Sequence, residues 1–546
     1  MEPSDETLPR LHLNKTEVFT VSIDRKPNSK GITMKSLIQL LVLISLFLPL
    51  GIRAAEPMDI GSRRELLVDD SLIERFSGGA TLQLHHPVAR EVAVRFDQPW
   101  EGNTSGYVTI MRDGDRLRMI YCGHRMVWND GKLQMSHSPV VCYAESHDGI
   151  TWKKPHVKLF RWRGKDADKM SDPMANNIVW PGSSESGTFV PFLDRRSECP
   201  AAEKFKAVGG VGKTGLFLFT SPDAIHWTKS DEAIFKQGAL DSMNVVFWDD
   251  ITKRYVLYYR TVVDGLRAIA MSSSVDLHNW SEPVPLEYPN SPPQQMYTNQ
   301  IAPYYRAPHI RIGFPTRYVA RSMTDQLRSL EPVPLRAELA DAYARVGSDL
   351  TDGLFMTSRD GISFRRWDEA FLRPGPQADD SNSRWMYGDN YQNYGLYETS
   401  SKTGGAPREL SMLFSEGYWR DGESRVRRYT IRTDGFVSIN APFAGGEIVT
   451  RPLVFSGQQL NVNYATSAAG SLRIEIQGFA GETIPGFSLA DSAELVGDRV
   501  EHTVRWNNTS DLSKITGQPV RLRFVLKDAD LYAFQFPTKT TETRGD

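Results

Sequence analysis

Cysteine is nearly absent: Cys122, Cys142 and Cys199 are the only three in 546 residues. No disulfide framework can hold such a chain, and its hydrophobic core must carry the stability. Cys122 and Cys142 fall in neighbouring predicted strands and read either as a bonded pair or as two small buried hydrophobes. There is no CxxC, no His/Cys cluster, no HExxH and no GxSxG, so zinc, zinc-protease and serine-esterase readings have no motif support, and no cofactor or metal is expected. Charge of one sign is also lacking. With 64 Lys+Arg against 66 Asp+Glu, no global field draws the chain to nucleic acid or an anionic membrane.

Long apolar runs are missing except for residues 37–50, which contain Gln39 and Ser45 and are broken by Pro49. A spanning helix needs about 20 apolar residues, so this run is too short. Met34 and Lys35 precede it and Ala54 and Ala55 follow, which is the pattern of a signal peptide cleaved near Ala55. The expectation is export to the periplasm or the extracellular space, with no stable membrane insertion after cleavage. Residues 1–55 form the N-terminal extension and signal peptide, and the polar stretch before Met34 points to a start codon placed too far upstream.

Aromatic residues and turn formers are abundant: 12 Trp, 20 Tyr and 25 Phe beside 42 Gly and 32 Pro. That mixture predicts many short strands joined by tight turns. A degenerate repeat organises them. SHDGITW from Ser146, SPDAIHW from Ser221, SVDLHNW from Ser274 and SRDGISF from Ser358 share a Ser-x-Asp-x-x-x-aromatic frame, and RTDGFVS around Asp434 is a weaker fifth member. Each follows a strand-like run, so the box is a turn in which Asp accepts amide hydrogen bonds and the aromatic packs on a neighbour. Its residues are structural.

Two further strand patterns precede every box, and a strand after each turn completes four-stranded antiparallel sheets. The predicted fold is all-β: a five-bladed β-propeller over residues 60–442, followed by a β-sandwich over 446–536 and a tail at 537–546. Arg64 to Phe76 reads as a closing strand or a short helix. AVGGVGKTG contains a GxGxxG from Gly210, but LFLFTS follows where a nucleotide site needs a helix, so it is a strand hairpin.

With its five boxes, SVDLHNW the clearest, and its C-terminal strand-rich region, the chain resembles the five-bladed glycoside hydrolases of families 32 and 43, the β-fructosidase and arabinanase/xylosidase group. The resemblance implies carboxylates from successive blades meeting in a central funnel, one protonated and one ionised, to cleave a glycosidic bond. A polar loop precedes each innermost strand: PWEGNTSGY, SSESGTF, GALDSMN, QMYTNQ and MYGDNYQNYG. Glu101, Asp241 and Asp389 are the expected catalytic acids, two of them about 5 to 9.5 Å apart.

Asp241, in the apolar setting GALDSMNVVFW, is the expected general acid through desolvation. Glu185 reads as a solvated loop acid. Trp100, Asn103, His124, Asn244, Tyr297, Asn299, Arg317, Tyr391 and Glu416 are the expected substrate-binding residues, the basic ones being equally suited to structural ion pairs. The predicted function is an exported glycoside hydrolase acting on an oligosaccharide or polysaccharide. The alternatives are a non-catalytic glycan-binding protein and, less favoured, sialidase-like or phosphorolytic enzymes, the last needing a basic cluster beside a single acid.

Overall fold

Alternation and β-branched or aromatic content turn the runs GYVTIMRD, RLRMIYCG and VVCYAES into the strands Gly106–Asp113, Arg116–Gly123 and Val140–Ser146, as their patterns dictate. The structure, a computed structural model, describes residues 56–538 apart from 130, 165, 166, 290, 380 and 381. The expected signal peptide and its cleavage point lie outside the described residues. No described helix is long and apolar enough to cross a membrane.

Five four-stranded antiparallel sheets follow one another along the chain. Their first strands in chain order are Gly106–Asp113, Val190–Leu193, Val245–Asp249, Ala302–Tyr304 and Tyr397–Thr399. The fifth sheet takes its edge strand, Val88–Arg95, from before the first. A three-stranded sheet (Gln295–Met296, Thr316–Val319, Leu350–Gly353) and a two-stranded one (Met126–Asn129, Lys132–Met135) stand beside them. Between Val319 and Leu350 lie three short helices, Asp325–Arg328, Val333–Ala342 and Ala344–Ser348, the first capped by the Thr324 hydroxyl.

The C-terminal strands do not form a separate two-sheet sandwich. They join Met58–Gly61, Arg64–Leu66, Ile73–Gly78 and Thr81–Leu84 in one ten-stranded sheet, in which Asn461–Gly478 and Val520–Gln535 are the long central pair. Arg64 to Phe76 thus contributes strands to that sheet. None of the sheets is closed or curled on itself, and this corrects the expected closed five-bladed propeller with a following sandwich: the protein is an all-β arrangement of several open sheets. Strand content and turn positions are local properties, whereas sheet partnership depends on pairing across hundreds of residues.

The repeated boxes are turns. In the first, Asp148 Oδ1 accepts from the amides of Ile150 and Thr151 at 2.8 Å each and from Ser146 Oγ at 2.9 Å. Asp223, Asp276 and Asp360 hold the equivalent pairs of amides. The box aromatics reach neighbouring sheets: Trp152 meets Tyr397 edge-on at 6.2 Å, Trp280 meets Phe235 at 5.8 Å and Phe364 meets Tyr258 at 6.2 Å. Replacing Asp148 by Ala removes the carboxylate oxygen that accepts from two amides at an exposed turn, which should cost about 1 kcal/mol of stability and leave function intact. A thermal melt paired with a ligand-binding or activity assay checks both halves.

Cys122 and Cys142 are free thiols in adjacent strands. Burial pushes the Cys122 thiol up to about 12, so it serves as a small buried hydrophobe.

Buried ion pairs tie the sheets together. The Glu65 carboxylate, fully buried, meets Arg359 Nη1 at 2.8 Å and His309 Nε2 at 3.2 Å. Burial alone would raise its pKa, but the His309 hydrogen bond and the Arg359 charge outweigh burial and hold it at about 2. Asp194, bonded by Tyr255 at 2.6 Å, is likewise held at about 2. Because the folded values lie below those of the unfolded chain, this stability is fully present above about pH 4.5 and is lost as pH falls through about 2. For Glu65 alone the shift is worth ~3 kcal/mol. Acid titration followed by circular dichroism should show unfolding in that window, and Glu65→Gln should blunt the dependence.

Candidate functional site

The loops that precede the first strands bring tyrosines together. Tyr107, second in the strand Gly106–Asp113, has φ +49°, a left-handed conformation unusual for a bulky residue and therefore held by its surroundings. Tyr297 lies in the loop before Ala302–Tyr304, and Tyr387 and Tyr391 in the loop before Tyr397–Thr399. The Tyr297 ring stands 5.9 Å from Tyr318, 5.8 Å from Tyr387 and 5.6 Å from Tyr391, and the Tyr387 hydroxyl donates to that of Tyr297 at 2.7 Å. Tyr418 stacks on Tyr391 at 6.5 Å.

Arginines cover these rings. The Arg260 guanidinium lies 4.6 Å from the Tyr297 centroid, Arg267 4.3 Å from Tyr318, and Arg345 5.0 Å from Tyr387. Arg345 comes from the short helix Ala344–Ser348. Arg260 Nε donates to Asp241 Oδ1 at 2.8 Å, while its buried Nη1 has no hydrogen-bond partner. Burial pushes the Tyr107, Tyr387 and Tyr391 phenols well above their ordinary range, with neighbouring tyrosines adding to the push. They stay neutral hydroxyls at any physiological pH. The site is therefore a patch of aromatic faces, phenol donors and guanidinium groups with two carboxylates, Asp241 exposed at its edge and the buried Asp349 holding the Tyr318 hydroxyl.

The expected site residues divide between this cluster and the framework. Tyr297 and Tyr391 are in the cluster. The Asp241 side chain is 55% exposed, which corrects the expected desolvated setting: its apolar sequence neighbours point inward while the carboxylate points out. Asp389 is fully buried, where it accepts from the Tyr418 amide at 3.0 Å and meets Arg420 at 3.2 Å. Burial raises its pKa, opposed by the Arg420 charge. It fixes the Tyr418 backbone from behind the cluster.

Glu101 stands apart, sealed by Lys154 at 2.7 Å and by the Tyr121 hydroxyl at 2.6 Å. Trp100 is buried, with its indole N–H on Asn177 at 2.8 Å, and so presents no face to a ligand. Asn103 bonds both backbone groups of Met126 at 3.0 Å. Asn244 donates to the carbonyls of Leu240 and Ser242, and Asn299 to those of Met243 and Tyr258.

Arg317 is paired with Asp352 at 2.5 Å. Glu416 is held by Arg425, Arg427 and Tyr429. His124 accepts or donates at Thr104, and burial lowers its pKa to about 4, so it is neutral near pH 7. Glu185, read as a solvated acid, is buried and paired with Lys229, whose hydrogen bond outweighs burial and holds the carboxyl at about 2.

Tyr107, Arg260, Arg267, Tyr318, Arg345 and Tyr418 are the site residues that a carboxylate-centred reading leaves out. The signal available was tyrosine recurring in the polar loops, as in QMYTNQ and MYGDNYQNYG. Among the described residues no group of three or more His, Cys, Asp or Glu side chains is placed to hold a metal.

No protein family model matches the chain, and no curated protein matches it. The open sheets correct the expected resemblance to glycoside hydrolase families 32 and 43. Solved structures give distant likenesses. An N-acetylgalactosamine deacetylase from F. plautii, in complex with blood group B trisaccharide, is 13% identical over 64% of this chain and 94% of its own, at a TM-score of 0.35. A glycosyl hydrolase from Bacteroides ovatus is 11% identical over 66% of this chain and 96% of its own, at 0.35. A fructofuranosidase from Schwanniomyces occidentalis, complexed with fructosylnystose, is 10% identical over 83% of this chain and 98% of its own, at 0.33. At such scores the chemistry of this chain rests on its own residues.

Proposed function

We propose that the protein is a carbohydrate-active enzyme that works on a glycosidic bond at the tyrosine–arginine cluster, with Asp241 as the carboxylate that exchanges a proton with substrate. The observation that carries this reading is the convergence of Tyr297, Tyr387, Tyr391 and Tyr418 beside the Arg260–Asp241 pair. Aromatic faces accept the C–H face of a sugar ring, and phenol hydroxyls exchange hydrogen bonds with its hydroxyls. Asp241, exposed at the edge, is the carboxylate within reach of solvent and ligand together.

Hydrolysis with two carboxylates asks for a second acid. Glu101 and Asp389 are both sealed by hydrogen bonds, which favours a second reading, glycan binding without cleavage. A panel of plant, algal and bacterial polysaccharides, assayed both for binding and for released sugars, separates the two. Released sugar supports the enzyme, binding without release supports the second reading, and neither outcome on any member overturns both.

A further inference from the structure

Carboxylates meet the arginines around the tyrosine cluster: Arg260 has Asp241, Arg317 has Asp352 and Arg420 has Asp389. Arg267 and Arg345, inside the cluster, are exceptions. Among the described residues neither has a carboxylate oxygen within 4.0 Å. Both guanidinium groups lie against the Tyr318 ring, at 4.3 and 6.0 Å from its centroid, and Arg345 also lies 5.2 Å from that of Tyr343. A ring face attracts a cation without neutralising it.

Their hydrogen bonds go to uncharged acceptors. Arg267 Nη1 donates to Gln295 Oε1 at 2.5 Å, and Arg345 Nη1 donates to the Tyr318 hydroxyl at 3.3 Å. The carboxylates nearby are otherwise engaged: Asp349 accepts from the Tyr318 hydroxyl, the Arg321 amide and Ser348, and Glu338 accepts from Trp128. Both arginines are open to a ligand, since their side chains are partly exposed and none of their nitrogens is buried without a partner. Tyr343, between the helices Val333–Ala342 and Ala344–Ser348, is 51% exposed and offers an open aromatic face beside Arg345. The guanidinium fork matches the paired oxygens of a carboxylate or a sulfate.

We propose that the cluster binds an acidic oligosaccharide, whose carboxylate or sulfate-ester groups meet Arg267 and Arg345 and whose sugar face lies on Tyr343; this rests on the carbohydrate reading given above. A neutral chain laid over the cluster would strip water from two guanidinium groups and give them no counter-charge in return.

The test measures binding of the full chain, by affinity electrophoresis, to matched pairs: polygalacturonate and its methyl ester, alginate and its carboxyl-reduced form, κ-carrageenan and its desulfated form. At least one acidic member should bind at least about 10-fold more tightly than its neutral partner, a comparison made on the parent chain alone. Which pair does so distinguishes carboxylate from sulfate. In Arg267→Gln/Arg345→Gln the preference should disappear while the circular dichroism spectrum matches that of the parent. Tyr343→Ala, a change at an exposed position, should weaken binding of the same acidic chain by about 10-fold. Equal or tighter binding of the neutral members would overturn the proposal and leave the carbohydrate reading standing. A preference that survives the double substitution, or an unchanged affinity in Tyr343→Ala, would overturn it as well. Binding to no member of any pair would overturn the proposal together with the reading beneath it.

Discussion

Asp241→Asn should cut turnover on the carbohydrate substrate by a factor of about 10² or more while leaving its affinity nearly unchanged. The substitution keeps the side chain's size and an oxygen that accepts from Arg260 Nε, so the guanidinium stays over the Tyr297 ring where Asp241 now fixes it at 2.8 Å. What it removes is the capacity to take and return a proton, which matters in the transition state and hardly at all in the bound ground state. Steady-state kinetics should therefore show kcat falling with KM held. Equal turnover in the two proteins would move the proton transfer to another group, and a fall in affinity alone would make Asp241 a binding residue.

The second large effect is on stability. Asp434, fully buried, accepts from Tyr304 at 2.7 Å and from Arg64 at 3.2 Å, stands 3.0 Å from Arg306 and 3.4 Å from Asn463. One carboxylate thus links an N-terminal strand, the fourth sheet and the long C-terminal strands. Asp434→Ala leaves the buried guanidinium of Arg64 with only the half-exposed Glu501 at 3.6 Å and takes away its buried partner, and losing one partner of a buried pair costs about 3 to 5 kcal/mol. The Tm should fall accordingly, and Asp434→Asn, which keeps an acceptor for Tyr304, should lie between. An unchanged Tm for the alanine variant would show that the links hold independently of this residue.

Asp434 also shows where local pattern stops being informative. RTDGFVS matches the repeated box, and in the other boxes Asp does bind the turn amides, because that chemistry is confined to a few consecutive residues. At Asp434 the same motif is used for contacts 370 and 130 residues away. Strand limits such as 106–113 and 140–146 were legible for the local reason too. Sheet membership was not: the pairing of residues 73–78 with 446–450 leaves no trace in either segment's alternation.

Site residues follow the same division. Tyr297 and Tyr391 were legible as aromatics in polar loops. Glu101 has the same kind of surroundings in sequence, yet Lys154, 53 residues on, seals it. Arg345 escaped notice because it lies on a short helix between strands, where its role depends on the fold returning it to Tyr387. Exposure at Asp241 reversed the expectation from its apolar neighbours, since adjacent residues commonly face opposite ways.

The most direct measurement of the central claim is a calorimetric titration of the chain, and of Tyr297→Ala, with the oligosaccharide that the polysaccharide panel selects. Tyr297 touches three other rings and carries the Arg260 guanidinium, so its loss removes a sugar-stacking face and a hydroxyl together. Affinity should drop at least about 10-fold, or by 1.4 kcal/mol, with the fold retained. An unchanged affinity in a folded Tyr297→Ala protein would contradict the assignment of carbohydrate binding to this cluster.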